Sequence, residues 1–158
     1  MGKYNILIID DEKEIVDFIR IYLQNEGFNV YVGFNSTEGL RILEHEEIHL
    51  VLLDIMLPGI DGIQICRMIR ESKNIPIIMV SAKSQDMDKI LGLGTGADDY
   101  ITKPFNPMEL MARVKAQIRR FFYLDSQMQG NINKNIIEVC GLSINKTSHS
   151  VTFLGKEI

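Results

Sequence analysis

Apolar residues fall in short continuous runs along the chain: Ile6-Leu7-Ile8-Ile9, Val30-Tyr31-Val32, Leu50-Val51-Leu52-Leu53, Ile77-Ile78-Met79-Val80 and a weaker Tyr100-Ile101. Runs without alternation are how strands read when both faces are covered, so a parallel sheet between helical layers is predicted. Between the runs the period becomes helical. Ile15, Phe18, Ile19, Tyr22 and Leu23 recur at helical spacing, with Asp17, Arg20 and Gln24 opposite and Gly27 as a stop. A second helix is expected from Ser36 as N-cap, with Leu40 and Leu43 inward, and a third over about 63–70 with Ile65, Met68 and Ile69 apolar. A fourth, near Met87 to Leu93, is expected to be short or mobile, because Gly92, Gly94 and Gly96 each lower helix propensity by about 0.8–1 kcal/mol. A fifth begins at Asn106-Pro107, a cap followed by proline at the first helical position, and carries Leu110, Met111, Val114, Ile118 and Phe121.

Strand and helix alternating five times over about 120 residues predict a doubly wound α/β domain, in which ligands sit beyond the carboxyl ends of the strands. Each strand end is therefore a place to look for chemistry. Asp10-Asp11 follow the first run, Asp54 the third, Ser81 the fourth and Lys103-Pro104 the fifth. Carboxylates facing one crevice repel unless a cation compensates, and the preferred one is Mg²⁺, a hard, oxygen-seeking ion.

Composition narrows the class. The 158 residues are 46% hydrophobic and 24% charged, which excludes disorder and collagen-like repeats. With 17 Lys+Arg against 21 Asp+Glu the net charge is −4, so no global basic field attracts nucleic acid or an anionic membrane. Cys66 and Cys140 lack a CxxC context, which suggests neither a disulfide framework nor a zinc site, and both read as reduced thiols. The opening MGKYNILIIDDEKE meets two carboxylates after a four-residue apolar run, and no run reaches membrane-spanning length. A cytoplasmic protein with no membrane partner is expected. His45, His49 and His149 read as solvated side chains.

After Phe122 the texture changes. Residues 123–135 are polar, with Gly and Asn and no period, and read as a linker. Residues 136–158 contain two or three β-like pieces, with Leu154-Gly155-Lys156-Glu157 as a hairpin turn, too little to make a domain alone. The chain is expected to stop inside a second domain.

The segments IIDDE, LLDIMLPGIDG, VSAK and GADDYITKPF, in this order and spacing, resemble the receiver domain of bacterial two-component response regulators, over residues 1–122. The resemblance implies a flavodoxin-like sheet of order 2-1-3-4-5 flanked by five helices. It implies that Asp54 accepts a phosphoryl group from a sensor histidine kinase or a small donor. Asp11, Asp54 and the main-chain carbonyl of Met56 would bind Mg²⁺ directly, with Asp10 holding metal-bound water, and Lys103 would pair with a phosphoryl oxygen. Ser81 would donate to another oxygen, and Tyr100 would turn inward as part of the switch. Ser81 stands where Thr is commoner, which keeps the hydroxyl and loses a methyl. The Lys103-Pro104 bond would be cis.

Lys89, Asp98, Asp99, Glu109, Arg113 and Arg120 resemble the dimer face of the OmpR/PhoB-type subfamily, which pairs across a two-fold axis upon phosphorylation. Residues 139–158 are similar to the opening strands of that subfamily's winged-helix DNA-binding domain. Its groove-entering helices are absent from these residues, so DNA contact is expected only through a further part of the parent protein. Two other readings compete. A haloacid-dehalogenase-like phosphatase would want a second Asp where Met56 stands, and an unphosphorylated scaffold would lack acidic or Lys positions that are all present here.

Overall fold

The apolar runs become the strands of a five-stranded parallel sheet in the computed structural model, which describes residues 3–82, 94, 96–123 and the strands at 136–139, 142–145, 150–153 and 156–157. The chain divides into two units, Met1–Gln117 and Ile118–Ile158. In the first, β1 (Asn5–Ile9), β2 (Asn29–Gly33), β3 (Leu50–Leu53), β4 (Ile77–Ser81) and β5 (Asp99–Thr102) lie in the order β2-β1-β3-β4-β5. Every residue of β3 and β4 is buried, as their unbroken apolarity requires of central strands, whereas β2 and β5 close the edges. Ile6, Leu7, Ile9, Leu50, Leu53, Ile77 and Ile78 are fully enclosed, and each such side chain stabilises the fold by roughly 1.5–3 kcal/mol relative to exposure.

Four helices flank this sheet among the described residues: α1 (Lys13–Asn25), α2 (Ser36–His45), α3 (Gly62–Arg70) and α4 (Pro107–Ile118). The helix expected near Met87 to Leu93 lies outside the described residues. In α1 the inward stripe is Val16, Ile19 and Leu23, rotated from the expected one. Phe18 is instead exposed and stacks edge-on with Tyr22 at 5.1 Å, because a second aromatic, Phe105, gives it a surface neighbour at 6.4 Å. The N-cap of α2 is Asn35 rather than Ser36. The Asn35 side chain accepts from the Glu38 amide at 2.9 Å while Glu38 accepts from the Phe34 amide, and Ser36 is buried beneath the first turn. Met68, expected on the apolar face of α3, is exposed, and Cys66 is buried there. The α-helical ladder of α4 ends at Ile118, so Arg120 and Phe121 lie in a π-helical turn, Arg119–Tyr123, where the hydrogen bonding widens.

His49 is not the solvated residue expected. Its Nδ1 accepts from the Asn5 amide at 2.9 Å and its ring meets Tyr4 edge-on at 5.2 Å, which ties the start of β1 to the residue before β3.

In the second unit, β6 (Ile136–Val139), β7 (Leu142–Asn145), β8 (Ser150–Phe153) and β9 (Lys156–Glu157) form an antiparallel sheet in sequence order. Four strands appear where two or three were expected. Lys156 and Glu157 pair with Phe153 and Thr152 instead of forming the turn, since a two-residue connection suffices for a hairpin. The expected linker from 124 onward, Cys140 and His149 lie outside the described residues.

Candidate functional site

Asp10, Asp54 and Lys103 are each the first residue past a strand, and each extends the ladder by one main-chain bond. The Asp10 amide donates to the Gly33 carbonyl at 3.1 Å, the Asp54 amide to Ile9 at 3.0 Å and the Lys103 amide to Ser81 at 2.8 Å. The sheet therefore aims these side chains, not a loose loop. Local turns fix one oxygen of each acid: Asp10 Oδ1 accepts from the Glu12 amide at 2.9 Å, and Asp54 Oδ1 from the Met56 amide at 3.0 Å. The other oxygens converge on Lys103. Its Nζ lies 2.9 Å from Asp10 Oδ2, 3.3 Å from Asp54 Oδ2 and 2.8 Å from Glu12 Oε1. The Lys103-Pro104 peptide bond is cis, as the resemblance implies.

The charges are unevenly covered. The side chains of Asp10 and Asp54 are 3% exposed and that of Lys103 7%, whereas Glu12 is 56% exposed. Burial raises the pKa of the Asp10 carboxyl above the usual aspartate range; the Glu12 amide and Lys103 oppose that rise, and the neighbouring Asp54 adds to it. Burial works against the charge of Lys103, but its hydrogen bonds to Glu12 and Asp10 and the charges of Asp10 and Asp54 more than offset this. Its pKa stands above the ordinary lysine value.

Carboxylate oxygens of Asp10, Glu12 and Asp54 all lie within 4.8 Å of one another. Three carboxylates facing a single ammonium leave an excess of negative charge, which a small divalent cation in the crevice would neutralise. Asp11, expected as a direct ligand, is exposed and stands outside this group. The turn closed by Asp10 on the Glu12 amide sends Asp11 outward and brings Glu12 back over Lys103.

The remaining expected residues are placed as follows. Met56 touches Asp54 through its amide, with its side chain exposed. Ser81 is fully buried at the carboxyl end of β4, in register with Thr102. Tyr100 is also buried and belongs to the core, opposite Met79.

The sequence matches the family model described as the response regulator receiver domain over residues 6–115. The chain belongs to this receiver family. Among curated proteins, the receiver chain is 46% identical over 153 residues to the regulatory protein VanR of Enterococcus faecium, covering 97% of this chain and 65% of VanR. It thus spans just under two thirds of that relative's length. Among solved structures, a BeF3-activated DrrB receiver domain is similar with a TM-score of 0.71 and 38% identity, over 75% of this chain and 100% of that one. The OmpR/PhoB homologue DrrB of Thermotoga maritima is similar over 99% of this chain and 66% of its own, at 34% identity and a TM-score of 0.66. Among the described residues, no helix is long and apolar enough to cross a membrane.

Several charges of the expected dimer face are already engaged within one receiver molecule. Arg113 Nη1 lies 2.8 Å from both oxygens of Asp99, and its Nη2 3.1 Å from Glu109. Asp98 Oδ2 accepts from Arg70 at 2.7 Å and from the Ile77 amide at 2.9 Å. Arg120 lies in the π-helical turn rather than on the α-helix, and Lys89 lies outside the described residues.

Three residues escaped the sequence reading. Glu12 closes the IIDDE segment but has no role of its own in that reading. Arg70, only the last residue of the third predicted helix, ties Asp98 and the carbonyls of Gly96 and Ile75 to the end of α3. Gly62, next to Asp61 in what reads as an ordinary loop-forming Asp-Gly pair, stands where a Cβ would overlap the Asp54 carbonyl oxygen. The signal for Gly62 was its place directly after the capping Asp61, which fixes where α3 meets the main chain of Asp54.

Proposed function

We propose that this receiver is a phosphorylation switch in which Asp54 is the acceptor, the donor is a phosphohistidine of a sensor kinase or a small acyl phosphate, and the ion is Mg²⁺. The observation that carries this is the convergence of Asp10 and Asp54 on Lys103 Nζ at 2.9 and 3.3 Å, at the carboxyl ends of three strands. An Asp54 oxygen attacks phosphorus. The bond from phosphorus to the imidazole nitrogen breaks, its electron pair returns to the ring, and the ring takes up a proton. Positioning and electrostatics supply most of what such a transfer needs. Asp54 and the Met56 main-chain carbonyl would hold Mg²⁺ directly, Asp11 would join them by turning in from its exposed position, and Asp10 would hold metal-bound water; the ion would supply charge neutralisation between two anions. Lys103 pairs with one phosphoryl oxygen as a compact charge, and Ser81 donates its hydroxyl to another.

Contacts made only with the phosphoryl group shift the receiver between two conformations through Ser81 and Tyr100, and favour a homodimer. The protein acts in the cytoplasm as a regulator that assists its own phosphorylation and dephosphorylation, without a separate substrate to turn over. DNA contact belongs to a winged-helix domain of which residues 136–158 are the opening strands, with 1–122 as the receiver and 123–135 as the linker. Met56 occupies the place where a haloacid-dehalogenase-like phosphatase would carry its acid, which supports the switch over the enzyme.

Incubation with Mg²⁺ and acetyl phosphate followed by intact mass tests the reading. Wild type gains one phosphoryl group and Asp54→Asn gains none; a wild type that stays unmodified overturns it.

A further inference from the structure

Glu12 makes the shortest of the three contacts to Lys103 Nζ, at 2.8 Å, yet at 56% it is the most exposed of the four side chains that meet there. It occupies the N-cap position of α1, but its side chain makes no cap hydrogen bond. A glutamate there could have served the helix start, and it serves Lys103 instead. An ammonium has three N–H donors, and here three carboxylates take them. A phosphoryl oxygen that is to pair with Lys103 must therefore displace one. Asp10 and Asp54 are held by the sheet and by the amides of Glu12 and Met56. Glu12, with a longer side chain open to water, is displaced at least cost.

We infer that Glu12 is a positioning residue that holds Lys103 over the crevice and competes with the incoming phosphoryl group for it. This rests on the phosphoacceptor reading above. Its carboxylate orients Lys103 before transfer, and adds one negative charge at the rim that every anionic donor must pass. Uptake from small anionic donors is thereby slowed by a residue that takes no part in the bond changes at Asp54.

The test compares wild type, Glu12→Gln and Glu12→Asp in the full chain at saturating Mg²⁺, with acetyl phosphate as donor over a range of salt, and with beryllofluoride affinity read from thermal shifts. Glu12→Gln keeps the shape and removes the charge. It is expected to raise the second-order rate of uptake by about three- to tenfold and to reduce its salt dependence, with beryllofluoride affinity rising in parallel. Glu12→Asp keeps the charge and stays near wild type. If Glu12 only shapes the helix start, Glu12→Gln matches wild type at every salt concentration and the inference fails. A fall in Mg²⁺ affinity of Glu12→Gln, measured by calorimetry, without a gain in uptake also overturns it, because Glu12 would then be a metal ligand. A wild type that takes up no phosphoryl group at all sinks the underlying reading instead.

Discussion

Gly62 stands against the main chain of Asp54 so closely that no side chain fits between them, and its amide donates to the Ile55 carbonyl at 2.9 Å. The start of α3 thus holds the residue that carries the proposed chemistry. Gly62→Ala is expected to cost about 1–3 kcal/mol by forcing backbone shifts in a packed interior, and to slow phosphorylation of Asp54. Gly59 offers the control. Its φ is 83° with open space around it, so Gly59→Ala costs about 1 kcal/mol through the backbone alone and leaves Asp54 in place. Denaturant titrations of both variants check this. Equal uptake rates in the two would contradict the role given to Gly62.

Arg70 and Asp98 form a partly buried pair at 2.7 Å, 20% and 17% exposed, that joins the end of α3 to the segment before β5. Arg70→Ala is expected to lower stability by about 2 kcal/mol, since it strands the Asp98 carboxylate and frees the Gly96 and Ile75 carbonyls. Arg70→Lys recovers little of this, because an ammonium cannot present the guanidinium fork. A double-mutant cycle with Asp98→Asn measures the coupling.

Asp10 gives a pH dependence of defined sign. Its carboxyl pKa is raised in the folded chain, so the native state binds this proton more readily than the unfolded one. Without divalent ions, its contribution to stability falls as pH rises from about 4, the unfolded value, through the folded pKa. Asp10→Asn flattens that part of the profile, while its single amide oxygen can accept from the Glu12 amide or from Lys103 but not from both. Added Mg²⁺ raises the Tm of wild type by mass action and raises that of Asp10→Asn much less. Thermal unfolding across pH, with and without Mg²⁺, reads both effects.

Beryllofluoride with Mg²⁺ is expected to convert the chain from monomer to dimer at micromolar concentration. Solution mass with and without it decides the matter, and an unchanged monomer contradicts the dimer reading. Arg113, already bonded to Asp99 and Glu109 within one chain, must keep or exchange these partners as the dimer forms.

The sheet was legible because parallel strands buried on both faces need continuous apolar runs, and Leu50–Leu53 and Ile77–Val80 can hardly be anything else. The convergence of Asp10, Asp54 and Lys103 followed from the same rule, since strand ends on one sheet edge meet in space. Side-chain choices among near-equivalent neighbours were not legible. Val16 and Phe18 are both apolar, and only packing against the sheet decides which one is buried. Asn35 and Ser36 both cap helices, and the reciprocal bonds with Glu38 select Asn35. Asp11 and Glu12 are both acidic, and a single turn at Asp10 decides which of them reaches Lys103.

The most direct measurement of the central claim is chemical trapping of the acyl phosphate. After incubation with Mg²⁺ and acetyl phosphate, borohydride reduces an aspartyl phosphate to homoserine, and peptide mass spectrometry locates it. Conversion at Asp54, absent when Asp54→Asn is treated identically, is the predicted result; trapping at another carboxylate with Asp54 intact would contradict it.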